Sequence, residues 1–255
     1  MQATVGSHCL DCAKAGRPDT ATRVRHAAAT VLTPVTYTLI ALNVAVFVWM
    51  AATSTNSLSG GVTKAHARLG LSKQILRLGV SYSDGTYDSP HEWWRLVTSG
   101  FIHFGVFHLL MNMLLLYQLG MLLERAIGST RLALLYTASL LAGSLGVLLV
   151  DSGGITGGAS GAVFGLMAGA AVGLHRRGVN VFSTGIGTTL LINLLLTFTI
   201  SGISIGGHVG GALGGAACGF VMLAPSWKPL PKWAGWAAPT AVIVVSLVAS
   251  VLVVG

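Results

Sequence analysis

The stretch GGASGAVFGL (residues 157–166) places one serine, Ser160, among glycines at the start of an apolar run. Glycines recur there at every fourth residue, namely Gly157, Gly161, Gly165 and Gly169. A second strip with the same spacing follows later in the chain, namely Gly207, Gly211, Gly215 and Gly219. Small residues at this spacing let the backbones of two membrane helices approach closely. The strips therefore predict a tightly packed helix pair, with Ser160 beginning one helix and His208 near the start of the other.

The composition predicts an all-α, polytopic membrane protein. Of the 255 residues, 53% are hydrophobic and 9% are charged, whereas a soluble domain has roughly a quarter of its residues charged. A helix that crosses a bilayer needs about 20 mostly apolar residues. Seven apolar runs approach that length, at 33–53, 104–123, 131–150, 158–174, 185–201, 204–224 and 233–254.

The distribution of the basic residues behind the net charge of +8 indicates membrane orientation rather than nucleic-acid binding, because outside the long loop after the first span these residues fall on one side of the predicted spans. One side collects Lys14, Arg17, Arg23, Arg25, Arg125, Arg131, Arg176, Arg177, Lys228 and Lys232. The positive-inside rule makes that side cytoplasmic, and the basic residues of the long loop after the first span fall outside the rule because long loops obey it poorly. We therefore expect a multi-pass cell-membrane protein, in a bacterium its plasma membrane, with a cytoplasmic N-terminus.

The chain divides into three predicted parts. Residues 1–31 form a cytoplasmic tail, residues 32–224 the membrane core with a long outward loop at 54–94, and residues 225–255 a linker and a further spanning helix. The tail contains a lone C-x-x-C pair, Cys9 and Cys12, which is half of a zinc site; a disordered tail is the alternative. In the loop, Leu71, Ile75 and Leu78 have helical spacing, which fits an amphipathic segment in the headgroup region or a loop packed on the protein.

Polar side chains in the spans are costly in a bilayer and suggest a functional site. His108 and Asn112 lie one helical turn apart in FIHFGVFHLLMNMLLL (residues 101–116). The span that carries them starts on the outer side, and so do the span of Ser160 and the span of His208. A serine becomes a nucleophile when a neighbouring base takes its proton, and His208 is the candidate base. No acidic residue lies beside His208 in the spans, so a Ser–His dyad is favoured over a triad.

The other components of such a site have candidates too. Phe164, one turn after Ser160, is placed to stack on the imidazole, with ordinary core packing as the alternative. The Ser160 N–H, Asn112 and His108 are candidate donors to an oxyanion. Taken singly, Ser160 also fits a packing residue, and His208 an interhelical hydrogen bond. A metal site from His103, His108 and His208 is a further alternative, but the sequence has no H-E-x-x-H and no nearby carboxylate to act as base.

Together these elements resemble the rhomboid family of intramembrane serine proteases. The matching stretches are HFGVFHLLMN with His103, His108 and Asn112; GASG with Gly158, Ser160 and Gly161; HVGGALGG with His208, Gly211 and Gly215; WR at Trp94 and Arg95; and GMLLERAIG with Gly120, Glu124 and Gly128. They cover about residues 33–224 in the order and spacing of the family. The stretch VGSHCLDC resembles the end of a longer cysteine-rich finger in some relatives, so the chain is expected to begin inside a truncated or degenerate one.

The resemblance implies a six-helix bundle with a seventh helix at the C-terminus. It implies catalysis by a dyad of Ser160 and His208 without metal or cofactor, and an oxyanion hole from His108, Asn112 and the Ser160 amide. The implied substrates are single-span membrane proteins, cut near the outer face after a small residue. The competing interpretations are an inactive relative that captures membrane clients, and a transporter, which would need polar groups in the inner halves of the spans. A retinal protein would need a lysine in the last span, and 233–255 has none.

Overall fold

Seven long helices dominate residues 33–150 and 153–255, the part of the chain that this computed structural model describes. In chain order the elements are α1 (Pro34–Thr53), α2 (Asn56–Ser59), α3 (Lys64–Leu69), α4 (Lys73–Leu78), β1 (Val80–Ser81), β2 (Tyr87–Asp88), α5 (Arg95–Thr98), a 3-10 turn (Ser99–Phe101), α6 (Val106–Ile127), α7 (Ser129–Leu149), α8 (Ser160–Arg176), α9 (Ile186–Thr199), α10 (Ile205–Met222) and α11 (Ala234–Val254). The long helices α1 and α6–α11 fall on the seven predicted runs. The predicted tail and its cysteine pair, Cys9 and Cys12, lie outside the described residues.

Five of the long helices are long and apolar enough to cross a membrane: α1, α6, α7, α10 and α11. The other two are shorter, with 17 residues in α8 and 14 in α9. The predicted all-α, polytopic architecture of six helices with a seventh at the C-terminal end is therefore confirmed. The seventh, α11, packs on the bundle, and its residue Val254 accepts a hydrogen bond of 3.0 Å from the Arg77 guanidinium through its carbonyl oxygen.

The glycine strips form the contact between α8 and α10, as predicted. A Cβ atom added at Gly169 would lie 2.9 Å from the carbonyl oxygen of Gly215, and one at Gly161 would lie 3.1 Å from that of Gly207. The α7 helix joins this contact through Gly143, where a Cβ would again meet the Gly207 oxygen at 2.9 Å. No side chain fits between these backbones, so the glycine strips set how closely α8 and α10 approach each other.

The start of α1 is capped by a carboxylate from another helix. Thr33 is the N-cap residue, but its side chain makes no capping hydrogen bond. Instead, Glu124 near the end of α6 accepts from the backbone N–H groups of Val35 (3.0 Å) and Thr36 (2.8 Å), and from the hydroxyls of Thr36 and Ser129 (2.7 Å each). A negative charge is favourable at a helix N-terminus, and this one joins α1, α6 and the first residue of α7.

The loop between α1 and α6 is folded on the bundle. Leu71, Ile75 and Leu76 are buried, and Leu71 and Leu76 belong to a cluster with residues of α5, α7 and α11. This supports the packed loop over the segment lying in the headgroup region. Leu78, the third residue with helical spacing, does not share this burial: 66% of it is exposed, and Leu76 is buried instead.

A buried arginine holds this loop together. The Arg95 guanidinium is fully buried and carries five N–H donors. Its Nε and Nη2 donate to Glu92 Oε2 at 2.9 and 2.6 Å, Nη2 also to Asp88 Oδ2 at 3.0 Å, and Nη1 to the carbonyl oxygens of Ala67 and Gly70 at 2.6 and 3.1 Å. All five guanidinium N–H donors are thus paired, and Arg95 joins the end of α3, the end of β2 and the residue Glu92 before α5.

Candidate active site

The candidate site lies where α8 and α10 begin, at the same end of the glycine contact. Ser160 is the first residue of α8, and its Oγ lies 2.8 Å from Nε2 of His208 in the first turn of α10. The turn into α8 requires a glycine, because Gly158 has φ +130°, which L side chains rarely adopt. The Gly158 N–H donates to the Ser99 carbonyl oxygen at 2.8 Å, and this bond anchors the turn to the 3-10 segment.

His208 is held by two further side chains. The Phe164 ring stacks on the imidazole, with the ring centroids 4.2 Å apart and the planes 17° from parallel. The hydroxyl of Thr197 in α9 lies 2.7 Å from Nδ1, the nitrogen that faces away from Ser160. Thr197 was missed by the sequence reasoning. The signal that could have found it is the spacing of Thr189, Asn193 and Thr197, which follow one another at one-turn intervals along α9.

His108 presents an N–H towards the same turn. Its Nδ1 accepts from the backbone N–H of Phe104 at 3.3 Å, so in the neutral ring the proton is on Nε2. A Cβ atom added at Gly158 would lie 2.9 Å from this Nε2 and 3.6 Å from Ser160 Oγ. The His108 donor and the Ser160 hydroxyl therefore border the same glycine.

Two further donors lie near His108. Asn112, one turn along α6, is buried and donates one Nδ2 proton to the His108 carbonyl oxygen at 3.0 Å. An amide nitrogen carries two protons, so the second is left for another acceptor. The backbone N–H of Ser160 belongs to the first turn of α8, where N–H groups have no partner within the helix.

The remaining motif residues have structural positions. His103 is buried, with its ring edge-on to His108 at 5.0 Å between centroids. Trp94 is 53% exposed and lies beside the buried Arg95 in the loop. Glu124 lies about 24 Å further along α6 than His108, at a rise of about 1.5 Å per residue, and caps α1 instead. Gly161, Gly211 and Gly215 form part of the α8–α10 contact.

A buried histidine supports the segment that precedes α6. The Thr63 N–H donates to His66 Nδ1 at 3.1 Å, and His66 Nε2 therefore donates to the His103 carbonyl oxygen, also at 3.1 Å. The ring stacks on Phe104 with 4.4 Å between centroids. Desolvation by burial lowers the pKa of His66, so the site's supporting loop holds this imidazole neutral.

The metal alternative receives no support from the geometry. Across residues 33–150 and 153–255, no group of three or more His, Cys, Asp or Glu side chains is placed to hold a metal ion. His103, His108 and His208 do not form such a group. The arrangement instead pairs a hydroxyl with an imidazole beside several N–H donors, which is suited to nucleophilic attack on a carbonyl and stabilisation of an oxyanion.

Comparison with known proteins agrees with the motifs. The family model of the Rhomboid domain matches residues 90–225. The Rhomboid protease GluP of Bacillus subtilis (strain 168) is 30% identical over 177 residues, which are 68% of this chain and 32% of that protein. RHOMBOID-like protein 1 of Arabidopsis thaliana is 49% identical over 70 residues, 28% of this chain and 18% of the relative.

A relative named as inactive is also similar. Inactive RHOMBOID-like protein 8 of Arabidopsis thaliana is 41% identical over 59 residues, 23% of this chain and 17% of the relative. The chain spans about a third or less of the length of these curated relatives. The residues matched by the family model extend from the loop through α10 and contain Ser160, His208, His108 and Asn112.

Proposed function

The chain belongs to the rhomboid family, and on that premise we propose that it is an intramembrane serine endopeptidase with a dyad of Ser160 and His208. The observation that carries the proposal is the 2.8 Å separation of Ser160 Oγ and His208 Nε2. This distance is within the range that a nucleophile and its base need for proton transfer. The helices that carry the two groups are held together by backbone contacts between glycines, so the pair is preorganised.

The proposed reaction is acyl transfer in two steps. Ser160 Oγ attacks the scissile carbonyl carbon while His208 Nε2 takes the hydroxyl proton. The resulting oxyanion accepts hydrogen bonds from His108 Nε2–H, the Asn112 amide and the Ser160 N–H. His208 then gives its proton to the leaving amine, and a water, deprotonated by the same imidazole, hydrolyses the acyl-enzyme and returns Ser160 to its hydroxyl form.

We propose single-span membrane proteins as substrates. A peptide bond within a helix is shielded by its own turn, so the substrate helix must unwind before Ser160 can attack. Residues with low helix propensity, such as Gly and Pro, are expected near the cut because they reduce the cost of unwinding. A small residue at the cut suits a site bordered by Gly158 and the glycine strips. No metal or cofactor has a part in these steps.

The orientation follows from the charge distribution. Basic residues on one side of the spans place the N-terminal part in the cytoplasm, so α6, α8 and α10 begin near the outer face and the site opens there. We propose the bilayer of a cell membrane, in a bacterium its plasma membrane, as the setting. The proposed protease core is residues 32–224, with residues 225–255 adding a linker and the seventh helix.

A second candidate is a rhomboid-type protein that binds membrane clients without cutting them. The similarity to a relative named inactive favours keeping this alternative. It requires no activated serine, whereas the hydrogen bond between Ser160 and His208 is what an activated serine needs. The two candidates therefore differ in the reactivity of one hydroxyl.

Labelling with a fluorophosphonate probe tests the proposal directly. We expect the detergent-purified protein to be labelled, and Ser160→Ala and His208→Ala to lose labelling while remaining folded. Ser139→Ala is a matched control, since it removes another buried hydroxyl, which donates to the Leu135 carbonyl oxygen of its own helix at 2.8 Å. Cleavage of a single-span substrate in liposomes should follow the same pattern. Labelling of Ser160→Ala equal to wild type would refute Ser160 as the nucleophile.

A further inference from the structure

The α9 helix carries one buried hydroxyl, and it contacts the dyad. Most large side chains of α9 are exposed, including Leu191, Leu195 and Phe198. Its buried residues are Gly187 and Thr197, and only 2% of Thr197 is exposed. The one side chain that α9 buries is thus a polar one, and its partner is the imidazole of His208.

The hydrogen bonds of Thr197 determine which nitrogen of His208 carries the proton. The hydroxyl lies 2.8 Å from the Asn193 carbonyl oxygen and 2.7 Å from His208 Nδ1. A hydroxyl has one proton, and a carbonyl oxygen can only accept. Both bonds form together only when Thr197 donates to Asn193 and accepts from Nδ1–H. The neutral ring then has no proton on Nε2, which can accept the proton of Ser160.

Phe164 alone does not determine this state. A stacked ring fixes the plane of the imidazole but does not distinguish its two nitrogens, because stacking has no donor or acceptor. Rotation of the imidazole within the stack, or transfer of its proton to Nε2, would leave Nε2 unable to act as base. The hydroxyl of Thr197 distinguishes these states because it accepts a hydrogen bond at one edge of the ring only.

We propose that Thr197 is a positioning residue that holds His208 in the Nδ1–H tautomer and so keeps Nε2 available to Ser160. The inference rests on the proposed function of the dyad. In this role a neutral hydroxyl on α9 replaces the carboxylate that orients the histidine in a triad. It also makes the reactivity of Ser160 depend on the position of α9.

Three variants on one helix test the role of Thr197. Thr197→Val keeps the shape and removes the hydroxyl, and Thr197→Ser restores it. Thr199→Val is the matched control, because Thr199 is exposed and its hydroxyl likewise donates back to a carbonyl oxygen of α9, that of Leu195 at 3.0 Å. Each is compared with wild type by the concentration dependence of fluorophosphonate labelling and by the melting temperature.

We expect Thr197→Val to lower the maximal labelling rate roughly tenfold, the effect of losing one hydrogen bond to the reacting group. The half-saturating probe concentration should not change, because Thr197 does not border the serine. Thr197→Ser should recover most of the rate, and Thr199→Val should match wild type. A rate in Thr197→Val within twofold of an active wild type would overturn the proposal.

The tautomer can be measured without turnover. Nitrogen-15 NMR of histidine-labelled protein in lipid reports which ring nitrogen is protonated, and the His208 signals are those that disappear in His208→Gln. We expect a protonated Nδ1 in wild type and in Thr197→Ser, and proton transfer to Nε2 in Thr197→Val. An unchanged tautomer in Thr197→Val would overturn the proposal whatever the rates. If wild type is not labelled, the proposed protease function fails, and the NMR result still decides the role of Thr197.

Discussion

Replacing one glycine of the α8–α10 contact tests whether the strips set the geometry of the site. Gly215 in α10 faces Gly165 in α8, and a Cβ atom at Gly215 would overlap the carbonyl group and the Cα atom of Gly165. These are backbone atoms, so they cannot move aside as the end of a flexible side chain could. Gly215→Ala must therefore push the two helices apart.

Two opposing effects set the expected magnitude. Alanine in a helix interior is more favourable than glycine by about 1 kcal/mol. Overpacking costs up to about 3 kcal/mol, and the upper end applies because the obstacle is backbone. The net loss of about 2 kcal/mol corresponds to a melting temperature lower by about 4 to 8 °C for a domain of this size. Separation of the helices should also lengthen the 2.8 Å bond between Ser160 and His208 and reduce labelling of Ser160.

The assay is thermal unfolding in detergent, with fluorophosphonate labelling measured well below the transition. Gly154→Ala is the control, because a Cβ atom there would meet nothing within 4 Å, and it should leave both readouts unchanged. If Gly215→Ala melts at the wild-type temperature and labels at the wild-type rate, the contact is looser than described and the strips do not set the site geometry.

Two further predictions concern residues away from the dyad. Glu124→Gln should lower the melting temperature by several degrees, because the amide NH2 would face a backbone N–H that now donates a hydrogen bond to the carboxylate. Labelling per folded molecule should not change. An unaltered melting temperature would contradict the capping role. The pKa of His66 is lowered in the folded protein, so below about pH 6.5 the unfolded state binds more protons than the folded state. The contribution of His66 to stability should therefore be complete above that pH and decrease as the pH falls below it. His66→Gln keeps a side chain that can accept the Thr63 N–H but does not titrate, so its melting temperature should decline less than that of wild type between pH 7.5 and 5.5, and an equal decline would rule out this origin.

The sequence predicted the helices and much of the site for one reason: both depend on short-range patterns. Apolar runs give the spans directly, and the four-residue glycine spacing identifies a contact where two helix backbones touch. Ser160 and His208 were assigned to each other because each lies beside a glycine of its strip. The structure places them 2.8 Å apart and stacks Phe164 on the imidazole, as the one-turn spacing from Ser160 suggested.

Other features depend on which face of an element meets its neighbours, and in a membrane both faces of a helix are apolar. Leu76, rather than Leu78, packs inside the loop. Leu71 lies before α4 begins at Lys73, so helical spacing counted from Leu71 does not decide which face of α4 meets the bundle. The N-terminus of α1 is capped by Glu124, some 90 residues further along the chain, and no local pattern reveals such a partner.

By itself the sequence determined the spans, the paired glycine strips and the common level of Ser160, His208, His108 and Asn112, because hydropathy and residue spacing act along the chain. Only the tertiary structure decided that α9 turns Thr197 towards His208, since the rotation of an apolar helix about its axis is set by packing with its neighbours. That rotation gives His208 a hydroxyl partner from a separate helix, and in the proposed mechanism it makes the reactivity of Ser160 depend on the placement of α9.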